Sequence, residues 1–96
     1  QVVFEILSPG NRLKGMFKKF KFYERYGVEE YYVYDPDEVE LIGWQRSGEN
    51  LEIIDEMNGW VSPRLEVKFQ VTSDNLEIFY PSGDRFLTFV ELAQLR

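Results

Sequence analysis

VVFEILSPGNRLKGMFKKFKFYERYGVEEYYVYDP, residues 2–36, decides the fold. It opens on a short apolar run, Val2 to Leu7, with one charge, Glu5, inside it. Such a run suits a strand buried on both faces. Ser8-Pro9-Gly10-Asn11 breaks it, because proline cannot donate to a strand ladder, and Ser8 or Asn11 can cap a helix. Leu13, Met16, Phe17, Phe20 and Tyr23 then recur at three- and four-residue steps. They form the apolar stripe of an amphipathic helix over residues 11–26. Gly15 weakens that helix by roughly 1 kcal/mol relative to alanine. Gly27 followed by Val28 stops it, since glycine takes the left-handed conformation and the valine packs back. Tyr31 to Tyr34 reads as a second strand, closed by Asp35-Pro36-Asp37. Strand, helix and strand in this length make a βαβ unit, whose strands are expected to be parallel neighbours joined by a right-handed crossover.

Beyond it the period falls to two. Glu38 to Arg46, a Ser47-Gly48 turn and Leu51 to Asp55 read as a hairpin. Asn58-Gly59 signals another turn. Leu65, Val67, Phe69 and Val71 alternate with Glu66, Lys68, Gln70 and Thr72, the pattern of a half-exposed strand. Asp74-Asn75 turns into Leu76 to Tyr80, and Pro81-Ser82-Gly83-Asp84 turns again. Thr88 with Glu91 is a capping-box pattern, so residues 89–95 are expected to be a short C-terminal helix. The fold class is α+β, a βαβ unit followed by an antiparallel meander, and residues 1–96 are one domain.

The chain has neither cysteine nor histidine. Disulfides, thiolate zinc sites and imidazole catalysis are excluded, and a reducing cytoplasm is the expected location. No apolar run approaches the ~20 residues that span a bilayer. The net charge of −6 is unevenly spread. Residues 1–27 hold six basic groups against Glu5 and Glu24, for +4. The remainder holds five basic and fifteen acidic groups, for −10. Only the first segment attracts a polyanion, through a basic helical stripe of Lys14, Lys18, Lys21 and Arg25 that suits DNA phosphates and equally suits a solvated face.

Val2-Val3-Phe4-Glu5-Ile6-Leu7-Ser8-Pro9, then Lys19, Phe22-Tyr23, Gly27-Val28-Glu29-Glu30-Tyr31-Tyr32 and Asp35-Pro36 carry a resemblance. Their order and spacing are similar to those of Uma-type proteins, a bacterial, largely cyanobacterial group classed with restriction endonucleases. The resemblance is close over residues 1–36 and looser beyond. It implies a PD-(D/E)XK nuclease core, in which an Asp and a Glu from neighbouring strands hold magnesium and a lysine stabilises phosphate charge. Carried over by position, Glu5 is the acidic metal ligand of the Glu-x-Lys motif. Its lysine slot holds Leu7, and Lys19 on the helix is the matching substitute. Gly15 stands where some relatives carry a further acid. The family's first catalytic Asp lies on an earlier strand, so the chain is expected to be the C-terminal part of the nuclease domain. An exposed sheet edge would then invite pairing between copies.

Taken by themselves, these residues have plainer readings. Glu5 suits a strand edge or a pairing with a helix lysine, and Lys19 in the run Lys18-Lys19 suits a solvated face. Ser8 is a cap, since no base is available to activate it. Trp44, Trp60, Tyr31, Tyr32 and Tyr34 read as core. The acids at Asp35, Asp37, Glu38 and Glu40 lack the spacing and glycine of a calcium loop. Two functions follow: a metal-dependent DNA endonuclease, inactive in this portion alone, or a non-catalytic interaction module on a degenerate nuclease fold.

Overall fold

The computed structural model describes residues 1–7 and 12–88. Eight elements follow in order: β1 (Val2–Ile6), α1 (Arg12–Arg25), β2 (Glu30–Asp35), β3 (Glu40–Ser47), β4 (Asn50–Ile53), β5 (Lys68–Val71), β6 (Leu76–Phe79) and β7 (Arg85–Thr88). Strands β1 to β4 form one sheet in that order, and β5 to β7 form a second. β1 and β2 are parallel, from Val2 opposite Glu30 to Ile6 opposite Tyr34. The remaining pairs are antiparallel. The architecture is therefore the expected α+β arrangement. The expected caps at Ser8 or Asn11, the final helix over 89–95 and the side chains of Leu13 and Lys14 lie outside what is described.

The layers follow from the alternation of β2. Tyr31 and Val33 point to the α1 side, where Val3, Leu7, Met16, Phe20, Tyr23 and Trp44 pack around them. Tyr32 and Tyr34 point to the other side, against Leu41, Met57, Phe69, Leu76 and Ile78. The strand buried on both faces is thus β2, all six of whose residues are buried. β1 was expected in that role, but it is half-buried along its length. The reason is position, for among the described strands β1 ends its sheet while β2 has a neighbour on each side.

Two further expectations are corrected. Phe17 leaves the apolar stripe and is 63% exposed. At 100° per residue it stands well round the helix from Tyr23, beyond the reach of the sheet. The strand expected from Leu65 begins only at Lys68, and Leu65 is exposed. Upstream of it the chain turns on Ser62, whose carbonyl accepts from the Glu66 amide at 2.8 Å, and Glu66 takes a positive φ of 62°.

α1 ends as its sequence demands. Gly27 sits at φ 79°, and the Val28 amide reaches back to the Tyr23 carbonyl at 3.1 Å, a Schellman closure. Arg46 of β3 then clamps this end. Its guanidinium donates to the carbonyls of Val28 at 2.8 Å, Glu24 at 2.7 Å and Tyr23 at 3.3 Å. Glu24 returns the tie by accepting the Leu51 amide at 2.9 Å. Gly43 lies opposite Tyr32, where a Cβ would come within 2.8 Å of the ring and 2.7 Å of the Met57 sulfur. A glycine inside β3 lets the tyrosine lie flat over the strand.

Candidate functional site

Parallel pairing and the crossover bring Glu5 and Lys19 together. Glu5 shares the α1 face of β1 with Val3 and Leu7, because side chains alternate along a strand. α1 passes over that face, and its second turn places Lys19 directly above. The Lys19 ammonium donates to Glu5 Oε2 at 2.5 Å. The Tyr31 hydroxyl donates to Glu5 Oε1 at 2.9 Å from the neighbouring strand. Both carboxylate oxygens therefore have partners, and the Glu5 side chain keeps only 19% exposure.

Electrostatics spread from Glu5 to its neighbours. The Lys19 ammonium is held above its ordinary pKa by the hydrogen bond to Glu5 and then by the carboxylate's charge. Burial pushes the Tyr31 phenol far up, and donation to Glu5 pushes it further. Tyr23 is raised by burial first and by the charge of Glu5 next. The site is thus a carboxylate ringed by an ammonium and two phenols that keep their protons. Lys19 remains 57% exposed and has further N–H donors to offer an incoming phosphate.

A divalent cation needs several hard oxygen ligands converging on one point. Among the described residues no group of three or more acidic, histidine or cysteine side chains converges in this way. Glu5 meets hydrogen-bond donors, not further carboxylates. The residues described do not by themselves fit a metal.

Of the basic stripe, Lys18, Lys21 and Arg25 are exposed on α1. Lys21 lies 5.7 Å from the centre of the Phe17 ring and Arg25 lies 6.0 Å from that of Tyr26. Sequence reasoning missed Glu30. It is 1% exposed, and its Oε1 accepts the hydroxyls of Tyr32 at 2.7 Å and Ser62 at 2.5 Å. Its Oε2 accepts the Arg64 amide at 2.9 Å. Trp60 completes the group by donating to the Tyr32 hydroxyl at 3.0 Å. This buried carboxylate pins the segment after β4 against β2. Its signals in the sequence are an acid beside an otherwise apolar, aromatic strand and a place in the Gly27 to Tyr32 run that carries the resemblance.

A βαβ unit that sets an acidic strand residue under a helix lysine, followed by antiparallel strands, defines an α+β protein with a charged pair between its first strand and its helix. Residues 1–78, from β1 to most of β6, match the Uma2 family, described as "Putative restriction endonuclease". The chain belongs to that family. No curated protein and no solved structure matches it.

Proposed function

We propose that this chain supplies the Glu5 and Lys19 part of a centre that hydrolyses DNA phosphodiesters. The observation that carries the reading is the 2.5 Å contact between Lys19 and Glu5, made across the two elements that the family resemblance pairs. Lys19 would meet a non-bridging phosphate oxygen and offset the negative charge that grows as water attacks phosphorus. Glu5, steadied by Tyr31, would hold Lys19 at the right height above the sheet. The basic face of α1 would steer the backbone, while the acidic remainder of the chain would turn it away.

The magnesium that the resemblance implies would be ligated through Glu5. The described residues assemble no set to hold it, so no step is assigned to a metal. That same gap supports a second reading, a non-catalytic interaction module that kept the fold. The location proposed with either reading is the cytoplasm.

Cleavage of supercoiled plasmid in magnesium or manganese separates the two. The 96-residue chain is expected to leave the plasmid intact, and a product extended by an upstream acidic strand to cut it. In that product Glu5→Gln should abolish cutting. Lys19→Ala should slow it about 100-fold or more, as losing one charge-stabilising donor does, with an unchanged circular dichroism spectrum. Robust cutting by the 96-residue chain would refute the proposal that Glu5 and Lys19 are only part of the centre. Undiminished cutting by Glu5→Gln would remove Glu5 from the site.

A further inference from the structure

Lys19, Phe22 and Tyr26 are spaced i, i+3 and i+7, so they line one flank of α1 and its last turn. That turn continues through Tyr26, whose amide bonds the Phe22 carbonyl at 3.0 Å. Phe22 is 55% exposed and Tyr26 65%, although both are large rings in a small protein with a well-filled core. Their centroids lie 4.6 Å apart with planes inclined by 38°, so together they offer one broad aromatic surface. The Arg25 guanidinium stands 6.0 Å from the Tyr26 ring. At about 1.5 Å of rise per residue, the rings lie roughly 4.5 and 10.5 Å along the axis from Lys19. That is about one to three stacked bases at ~3.4 Å each.

We propose that the Phe22–Tyr26 pair stacks an unpaired base of the DNA whose phosphate meets Lys19, so that the favoured substrate is single-stranded or locally opened. The inference deepens the nuclease reading and rests on it for the role of Lys19. Two properties of the surface select this occupant. Its π-faces stack on any base, but in duplex DNA those faces are already covered by neighbouring bases. The helix that carries it also exposes Lys18, Lys19, Lys21 and Arg25, whereas residues 28–96 hold −10. A polyanion with free base faces satisfies both properties at once.

Fluorescence anisotropy with a labelled oligothymidylate and a hairpin duplex of equal phosphate count tests it on the 96-residue chain. The single strand should bind more tightly. Phe22→Ala and Tyr26→Ala should each weaken it by about tenfold, leaving duplex binding unchanged. Phe22→Leu should lose the same affinity, because it keeps apolar bulk without the ring face, while Tyr26→Phe should retain it. A thermal melt of each variant confirms the fold. Equal affinity for both DNAs, no binding of either, or unaltered binding by Phe22→Leu and Tyr26→Ala would overturn the proposal. So would a dimer in sedimentation velocity that these substitutions dissociate without changing DNA affinity, because the pair would then seat a second copy. Lys19→Ala should weaken both DNAs. Undiminished plasmid cutting by Lys19→Ala in the extended product would sink the nuclease role of Lys19 while the stacking results stood.

Discussion

Glu5 and Glu30 are two acids in strands that face the core, and each is made tolerable by a different set of donors. Glu5 uses an ammonium and a phenol at the half-open α1 side. Glu30 uses two hydroxyls and a backbone amide in full burial. Both arrangements require a tyrosine to stay protonated. Burial first, and donation to Glu5 or Glu30 next, raises Tyr31 and Tyr32 well above the ordinary tyrosine pKa of 10.0. In the unfolded chain these phenols ionise near 10, while in the folded chain they do not. Above that pH the unfolded state therefore binds fewer protons, and stability falls as pH rises. Lys19, raised from 10.5 by Glu5, acts in the same direction. The urea midpoint should accordingly hold level from pH 7 to 9 and drop beyond about pH 10. Tyr31→Phe should flatten that drop. A midpoint that ignores pH up to 11 would show that these phenols are not held as described.

The elements are bolted together where hydrogen-bonding groups would otherwise be left over. A helix ends with orphan carbonyls, and Arg46 from β3 takes those of Tyr23 and Glu24 while also holding Val28. A cation at that end also opposes the negative pole of the helix dipole. The clamp fixes the rotation and height of α1 on the sheet, and thereby the height of Lys19 over Glu5. Arg46→Ala should cost about 1.5–3 kcal/mol, the range for hydrogen bonds that involve a charged group. It should lower the denaturant midpoint without changing the slope. Arg46→Lys should recover little, because the bonds leave from two separate nitrogens of a planar guanidinium, and one ammonium nitrogen cannot occupy both positions. Full stability in Arg46→Ala would mean that α1 is held by its apolar stripe alone.

Across the molecule, both layers of packing share β2. Trp44 belongs to the α1-side cluster and Trp60 to the cluster beneath the second sheet. The two clusters meet back to back through a strand with six buried residues. Neither can loosen without exposing one face of that strand, so unfolding should be a single transition. Trp44→Phe and Trp60→Phe each leave one indole as reporter. In each variant its fluorescence transition should coincide with the far-ultraviolet circular dichroism transition. A fluorescence midpoint clearly below the circular dichroism midpoint in either variant would show that one layer unfolds on its own. No described helix is long and apolar enough to cross a membrane. The charge asymmetry of the chain survives folding, since Lys18, Lys21 and Arg25 all remain exposed on α1.

The order of elements was legible in the sequence because it depends on neighbours a few residues away. The helical period from Met16 to Tyr23, the Gly27 stop, the Ser47-Gly48 turn and the alternation around Phe69 are local signals, and each maps onto the structure. The parallel pairing of β1 with β2 followed from the helix-long crossover between them. Glu5 and Lys19 were legible only as members of a familiar pattern, since fourteen residues separate them in the chain. Tertiary structure alone decided what depends on which faces meet. It made β2 the central strand in place of β1 and left Phe17, Phe22 and Tyr26 in solvent. It also sent Arg46 to the end of a helix more than twenty residues earlier, and found three donors for Glu30 of which two lie more than thirty residues onward. Local propensity sets period and turns, whereas burial and hydrogen-bond satisfaction are properties of the packed whole, where a residue's partners are chosen by geometry and not by distance along the chain.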